Sequence, residues 1–464
     1  MSETRTHGAR VRRQGFAGLC LLTIACGQWQ RIGVDPPPDA GQFVPPLFDA
    51  GTVYREMGLL AGSAPLPFVG GVRFLAGATP DTTLAVIGFT MSRNALSFRR
   101  AGDAFEARYR AEVRLHRNGS VVAHTSQEQL VRVTTLAESQ RGDASIVFQQ
   151  VTSVPPDSLQ ISLIVHDLNA RSRSQADGTI VAPAFGSGPQ LSSIIPVYRA
   201  RPRSDRSANP DLAVNPKGVT SYGVDTLRLY LELYGGSAEQ SVLLRGISPE
   251  AHRTEAWRDT VFFGTGGPVR GAVVVVEPEK LALGQVLLEA SIAGSDDTVR
   301  SVAMVTFSDE WVVANFEETL SLLRYFPADE ALRRLREAPV EERPAHWRAF
   351  WTATDPDPTT PGNEAIELYF QRMQEANERF AEGGQPGWLS DRGEVFITFG
   401  APDEIWDASS GLEPAGGLPY IRWTYISARL TLNFVDETGF GRFRLTERSR
   451  TDFLVVRSRL RRSG

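Results

Sequence analysis

The apolar pattern of this chain changes period once, near Ser308, and that change divides what it can fold into. Before it, apolar and polar residues alternate in short runs. Thr83 to Phe89, Phe105 to Leu115, Ile146 to Phe148 and Leu159 to Val165 form one set. Thr226 to Tyr234, Ser241 to Arg245, Val269 to Val276, Val286 to Ile292 and Val299 to Phe307 form a second. Period-two runs bounded by turn residues predict antiparallel strands, and Asn118-Gly119 predicts a hairpin turn. After Ser308 the period approaches 3.6, with helices predicted over Glu310 to Tyr325, Pro327 to Leu335, Glu341 to Thr352 and Asn363 to Ala381. Alternation then returns at Val395 to Phe399, Ile421 to Tyr425, Leu430 to Val435, Arg442 to Leu445 and Phe453 to Val456, each read as a strand. The predicted fold is multidomain: two all-β sandwich (Ig-like) domains, residues 68–200 and 201–308, then an α+β domain over 309–464.

The N-terminus carries a different signal. Arg5, Arg10, Arg12 and Arg13 precede an apolar run from Phe16 to Ala25, and both cysteines of the chain, Cys20 and Cys26, lie in this region. The run is too short to span a bilayer, which takes about 20 residues. Its layout is that of an export signal over residues 1–25. A cysteine at the cleavage point resembles the lipobox of bacterial lipoproteins, which implies an acylated Cys26 and a membrane anchor. Gly27 stands where an Asp would imply inner-membrane retention, so the expected location is the outer membrane of a bacterial envelope, facing the periplasm or the cell surface. Residues 26–67, with Pro36-Pro37-Pro38 and Pro45-Pro46, read as a Pro/Gly-rich tether.

Composition narrows the chemistry. Removal of residues 1–25 takes four Arg and one Glu from 49 basic and 54 acidic side chains, leaving a net charge of −8. That balance gives no nucleic-acid footprint. No cysteine follows Cys26, so thiolate nucleophiles, disulfides and zinc–thiolate sites are excluded from the rest of the chain. His116, His124, His166, His252 and His346 show no zinc-ligand spacing. Asp355 and Asp357 lie among prolines that break a calcium loop, and the Gly264 to Gly267 and Gly186 to Gly188 turns lack the context of phosphate or nucleophile loops. No metal and no cofactor are expected.

One segment is distinctive. Asn377-Glu378-Arg379-Phe380, Gly387-Trp388-Leu389-Ser390-Asp391-Arg392-Gly393 and Val395 to Ile405 with Pro402-Asp403 follow one another in order. They resemble the signature of the GWxTD domain family, bacterial envelope-type proteins, over roughly residues 310–450. Ser390 stands where the family has Thr. The resemblance brings no established activity.

Read from the residues, Trp388 seals helix against sheet, and Asp391 heads an Asx-turn in which Gly393 takes a positive φ, with Arg379 as a possible ion-pair partner. The alternative is a ligand or catalytic site in which Glu378 and Asp391 cooperate beside Arg392. Asp391 and Asp403 flank a predicted strand of about six residues, about 20 Å at roughly 3.3 Å per residue. A glycosidase pair needs about 5 to 10 Å. The expected function is a non-catalytic, lipid-anchored module that binds or assembles with an envelope protein or glycan. The alternative is a hydrolase-type enzyme with its carboxylate site in the C-terminal domain. Cys26→Ser should abolish acylation and release the protein from membranes, as read by lipid labelling and fractionation; continued membrane partitioning would refute the anchor.

Overall fold

The computed structural model describes residues 28–31 and 50–463, apart from 141–144, 223–224, 237, 250–254, 278–279, 282, 296–297, 307–315, 340–341, 361, 383–384 and 409–417. The segment predicted to be an export signal, Cys26 and most of the predicted tether lie outside the described residues. The chain divides into two compact units: Pro45–Glu375, and Ala376–Ser463 with Met1–Val44. β1 (Gln28–Arg31) belongs to the second of these.

In the larger unit, α1 (Ala50–Glu56) and β2 (Leu60–Gly62) are part of the fold, which corrects the tether reading for these residues. Tyr54, Met57 and Leu59 are buried with Val69, Val219 and Met304. β3 (Phe68–Ala76), β4 (Thr83–Ser92), β5 (Arg99–Ala101), β6 (Ala104–Arg117), β7 (Ser120–Val133), the short α2 (Leu136–Ser139), β8 (Ser145–Val154), β9 (Ser158–Asp167) and β10 (Ser172–Val181) follow. One sheet runs β2-β3-β4-β8; the other runs β10-β9-β6-β5, with β7 also on β6. In β6 the alternation does its work directly: Ala107, Tyr109, Ala111, Val113 and Leu115 are buried, while Arg108 and Arg114 are exposed. Asn118 and Gly119 both take positive φ (49° and 81°), as a two-residue hairpin of this type requires. The sheets meet face to face: Phe68, Ile87, Phe89 and Phe148 from one share a core with Tyr109, Val113, Ile161 and Leu163 from the other.

The second set comprises β11 (Gln190–Leu191), β12 (Ile195–Arg201), β13 (Asp211–Val214), β14 (Val219–Ser221), β15 (Leu227–Tyr234), β16 (Gln240–Ile247), β17 (Glu255–Phe263), β18 (Val269–Val276), β19 (Gly284–Ile292) and β20 (Thr298–Thr306). It forms a sheet β11-β15-β12-β13, with β18 on β15, and a sheet β14-β20-β19-β16-β17. β11 and β12 pair with β15, so the second set begins at Gln190 rather than at 201. Leu75 and Val86 of the first set are buried with Ile195, Val197, Leu212, Val214 and Tyr230 of the second.

A buried ion pair fixes this junction. Arg203, just past β12, meets Glu232 of β15 through Nε to Oε1 at 2.7 Å and Nη2 to Oε2 at 2.9 Å. Nη2 also donates to the Ala76 carbonyl at 2.7 Å, and Nη1 to the Arg206 and Ala208 carbonyls at 3.0 Å. All five guanidinium hydrogens therefore have acceptors. The Tyr230 and Tyr234 hydroxyls donate to the two Glu232 oxygens, and Tyr234 accepts from Ala76 N–H at 2.8 Å. Burial opposes the Arg203 charge, but Glu232 outweighs it and holds the guanidinium above its ordinary pKa. Burial and the adjacent Glu232 push both tyrosine hydroxyls up.

The helices α3 (Phe316–Leu322), α4 (Asp329–Glu337), α5 (Arg343–Thr354) and α6 (Glu364–Arg379) come next, near the predicted positions. Trp347 and Trp351 of α5 pack on Tyr222 beyond β14 at 6.0 and 5.1 Å between ring centroids. In the smaller unit follow α7 (Asp391–Phe399), β21 (Glu404–Asp407), β22 (Tyr420–Tyr425), β23 (Leu430–Val435), β24 (Arg444–Leu445) and α8 (Glu447–Ser463). The sheet order is β1-β21-β22-β23-β24. Two predicted strands are helices: Val395 to Phe399 lies in α7 and Phe453 to Val456 in α8. Both are short apolar runs rich in β-branched or aromatic residues, where periodicity does not separate strand from buried helix.

Glu232→Ala would leave the Arg203 cation buried without its counter-charge. It should cost about 3–5 kcal/mol of unfolding free energy, measured by urea denaturation. A loss below 1 kcal/mol would show that the junction does not depend on the pair.

Candidate functional site

The distinctive segment begins where α6 ends. A Cβ on Gly387 would lie 2.3 Å from the Ala376 carbonyl oxygen and 2.7 Å from that of Asn377. Glycine is thus required for the 3-10 turn Gly387–Leu389 to press against the helix end. Trp388 is buried within that turn. Asn377 is buried on α6, and Glu378 lies on its exposed side.

Ser390 ends the turn and starts α7. Its hydroxyl donates to the Gly387 carbonyl at 2.7 Å and accepts from Gly393 N–H at 3.0 Å, as an N-cap. A hydroxyl at this position is what the geometry uses, and Ser in place of Thr preserves it. Gly393 is helical rather than at positive φ, which corrects the turn reading. Its reason is proximity: a Cβ there would lie 2.0 Å from the Gly387 oxygen.

Asp391 is the first residue of α7, not the head of an Asx-turn before a strand. One carboxylate oxygen accepts from Leu445 N–H at 2.7 Å, and the other meets Arg450 of α8 at 2.7 Å and Arg444 at 3.4 Å. These partners replace the expected Arg379. Arg379 instead lies over the Phe380 and Phe396 rings at 5.3 and 5.1 Å, and burial, with Arg392 nearby, lowers its pKa. Arg392 pairs with Glu382, Nε to Oε1 at 2.8 Å and Nη2 to Oε1 at 2.6 Å, and stacks over Phe443 at 4.8 Å. The other Glu382 oxygen accepts from Phe443 N–H at 3.0 Å. Burial pushes the Glu382 carboxyl up, against the pull of Arg392.

These contacts share one purpose. β24 pairs with β23 on one side, through Phe434 with Leu445 and Val435 with Arg444. The N–H groups of Phe443 and Leu445, two residues apart, point the other way. Glu382 takes the first and Asp391 the second. Two buried carboxylates therefore do for this edge what a further strand would do. Glu394 adds Arg450 at 2.8 Å and Arg457 at 2.7 Å, tying α7 to α8.

Pro402 is buried; Asp403 is exposed, and its carboxylate accepts from Ile426 N–H at 2.6 Å in the β22–β23 turn. Asp391 and Asp403 thus serve different parts of the sheet. The segment between them is not a strand but the nine-residue helix α7, about 13 Å long at roughly 1.5 Å per residue. Elsewhere, His124 of β7 and His166 of β9 both approach Glu112 of β6, at 2.8 and 3.8 Å. Chain spacing gives no sign of this grouping, because three adjacent strands create it. Among the described residues no group of three His, Cys, Asp or Glu side chains could hold a metal ion.

Fold and segment together define a multidomain, β-rich protein whose α+β part is built around a Gly-Trp-x-Ser-Asp turn. The sequence profile of the GWxTD domain matches residues 292–428, so this chain contains a GWxTD domain over that span. Among curated proteins, none matches the chain.

Removal of the Ser390 cap in Ser390→Ala should cost about 1 kcal/mol, whereas Ser390→Thr should change stability by no more than about 0.5 kcal/mol. Gly393→Ala, driven into a backbone oxygen, should prevent the smaller unit from folding. Thermal melts followed through the tryptophan signal test all three; wild-type stability of Gly393→Ala would contradict the packing described.

Proposed function

We propose that this protein is a non-catalytic lipoprotein of the bacterial envelope, anchored through Cys26 at the outer membrane, that binds or assembles with another envelope component, protein or glycan. The observation that carries the reading is the use of the motif's side chains: Trp388 is buried, Ser390 caps α7, Asp391 holds Leu445 and Arg450, and Arg392 holds Glu382. Groups bound in this way form a scaffold. Sandwich folds of this kind commonly serve as binding modules, which is an argument from analogy.

The smaller unit also presents a feature suited to docking. The Asp436 carboxylate accepts from the N–H groups of Thr438, Gly439 and Gly441 and so shapes the loop after β23. That loop carries Phe440 at 83% exposure. An aromatic ring held out on a bonded loop is of the type that anchors protein interfaces.

The hydrolase reading has one observation in its favour, the raised Glu382 carboxyl, since a general acid needs such a shift. Both Glu382 oxygens are nevertheless engaged, by Arg392 and by Phe443 N–H.

Affinity capture of the full-length protein from detergent-solubilised envelopes tests the proposal. The expected result is a stoichiometric envelope component retained equally by wild type and a folded Asp391→Asn variant, and lost with Phe440→Ala. A hydrolytic activity or bound small molecule that disappears in Asp391→Asn would overturn it in favour of the enzyme.

A further inference from the structure

The first strand of the smaller unit fixes the point at which the chain ahead of it meets the fold. β1 lies on the edge of the sheet, antiparallel to β21, with Gln28 opposite Asp407 and Arg31 opposite Glu404. β21 sets Asp407 opposite Ile421, and β22 sets Tyr420 opposite Val435. Gln28, Asp407, Tyr420 and Val435 therefore share one end of the sheet. Cys26 precedes Gln28 by two residues, which span at most about 7 Å of extended chain. A lipid on Cys26 is tied to this end and not to the other.

The same end carries exposed apolar side chains. Leu418, just before β22, is 54% exposed, and Phe440, in the loop between β23 and β24, is 83% exposed. Backbone bonds join the two segments. Asp436 N–H donates to the Pro419 carbonyl at 2.9 Å, while the Asp436 carboxylate closes the loop on Thr438, Gly439 and Gly441. Gly439 and Gly441 take φ of 72° and 76° on either side of Phe440, a backbone course that glycine permits. β1 and β23 are three strand spacings apart, about 14 Å at roughly 4.8 Å each. An acyl chain alone leaves a protein free to pivot; a second apolar contact that far along the same end does not.

Charge does not oppose such a contact. Among the described residues the exposed charges at this end are Asp407, Glu437, Arg442 and Arg444, two of each sign. The opposite end offers a matched comparison. Ile426, in the β22–β23 turn, is 64% exposed. It stands the length of β22 away, about 20 Å at roughly 3.3 Å per residue. The headgroup layer of a bilayer is about 6 Å deep, so strands that rise from it have only one end within it.

We propose that the end of the smaller unit bearing Phe440 and Leu418 rests on the bilayer that holds the acyl anchor, with both side chains in its headgroup layer. The inference rests on the Cys26 anchor put forward above, and it narrows the component lost with Phe440→Ala to one lying in or on that membrane. Thiol labelling tests it, because acylation blocks Cys26, export removes Cys20, and the chain has no other cysteine. Full-length lipidated protein carrying Phe440→Cys, Leu418→Cys or Ile426→Cys is labelled with a polarity-sensitive fluorophore. It is then reconstituted into vesicles of phosphatidylethanolamine and phosphatidylglycerol that carry a nitroxide on their headgroups. Labels at positions 440 and 418 should be quenched severalfold more than the label at 426 and should emit further to the blue. Equal quenching at the three positions, or stronger quenching at 426, in protein that floats with the vesicles overturns this inference and leaves the anchor standing. Protein that does not float, and whose Cys26 thiol takes up label, overturns the anchor and this inference with it.

Discussion

Arg203 and Glu232 hold the larger unit to one arrangement because neither can be buried without the other. Taking a guanidinium and a carboxylate out of water costs several kcal/mol each, and their attraction offsets this only when every remaining donor and acceptor is met. Here they are met from both sandwiches. Ala76, at the end of β3, gives its carbonyl to Arg203 and its N–H to Tyr234. The Arg206 and Ala208 carbonyls, in the loop after β12, fill the other side of the guanidinium. A sliding of one sandwich on the other would strand several groups at once. The apolar contacts of Leu75 and Val86 with Ile195 and Val214 contribute area but no such directionality. The ion pair therefore supplies specificity of register more than net stability.

The smaller unit solves a different problem by similar means. Its sheet ends at β24, a strand of two residues whose outward N–H groups would otherwise lie buried and unpaired. Glu382 and Asp391 meet them, and Arg392, Arg444 and Arg450 meet the carboxylates. The two glycines of the turn matter for the same reason. Gly387 lets the chain lie on the end of α6, and Gly393 lets α7 begin against Gly387. Asp391 then reaches Leu445 from the first position of α7. The pentapeptide Gly387–Asp391 carries the chain from a helix end to an acid placed on a strand edge.

How much of this is legible in the sequence follows from the range of each interaction. β6 is legible because alternation is local, and β18 because a run of β-branched residues is, with Val269–Val276 bounded as the pattern predicts. α6 is legible because Ile366, Phe370, Met373, Asn377 and Phe380 repeat at helical steps. α7 is not: Val395 to Phe399 is apolar apart from Thr398, and only the Ser390 cap, with Gly400 closing the helix at φ 80°, separates it from a strand. Phe453 to Val456 misleads in the same way within the Arg-rich α8. The motif residues are visible as a group, but their partners are not. Leu445 and Arg450 lie more than fifty residues downstream of Asp391, and nothing local links them. Arg203 and Glu232, 29 residues apart, escape notice altogether because a single Arg in an Arg-rich chain carries no signal.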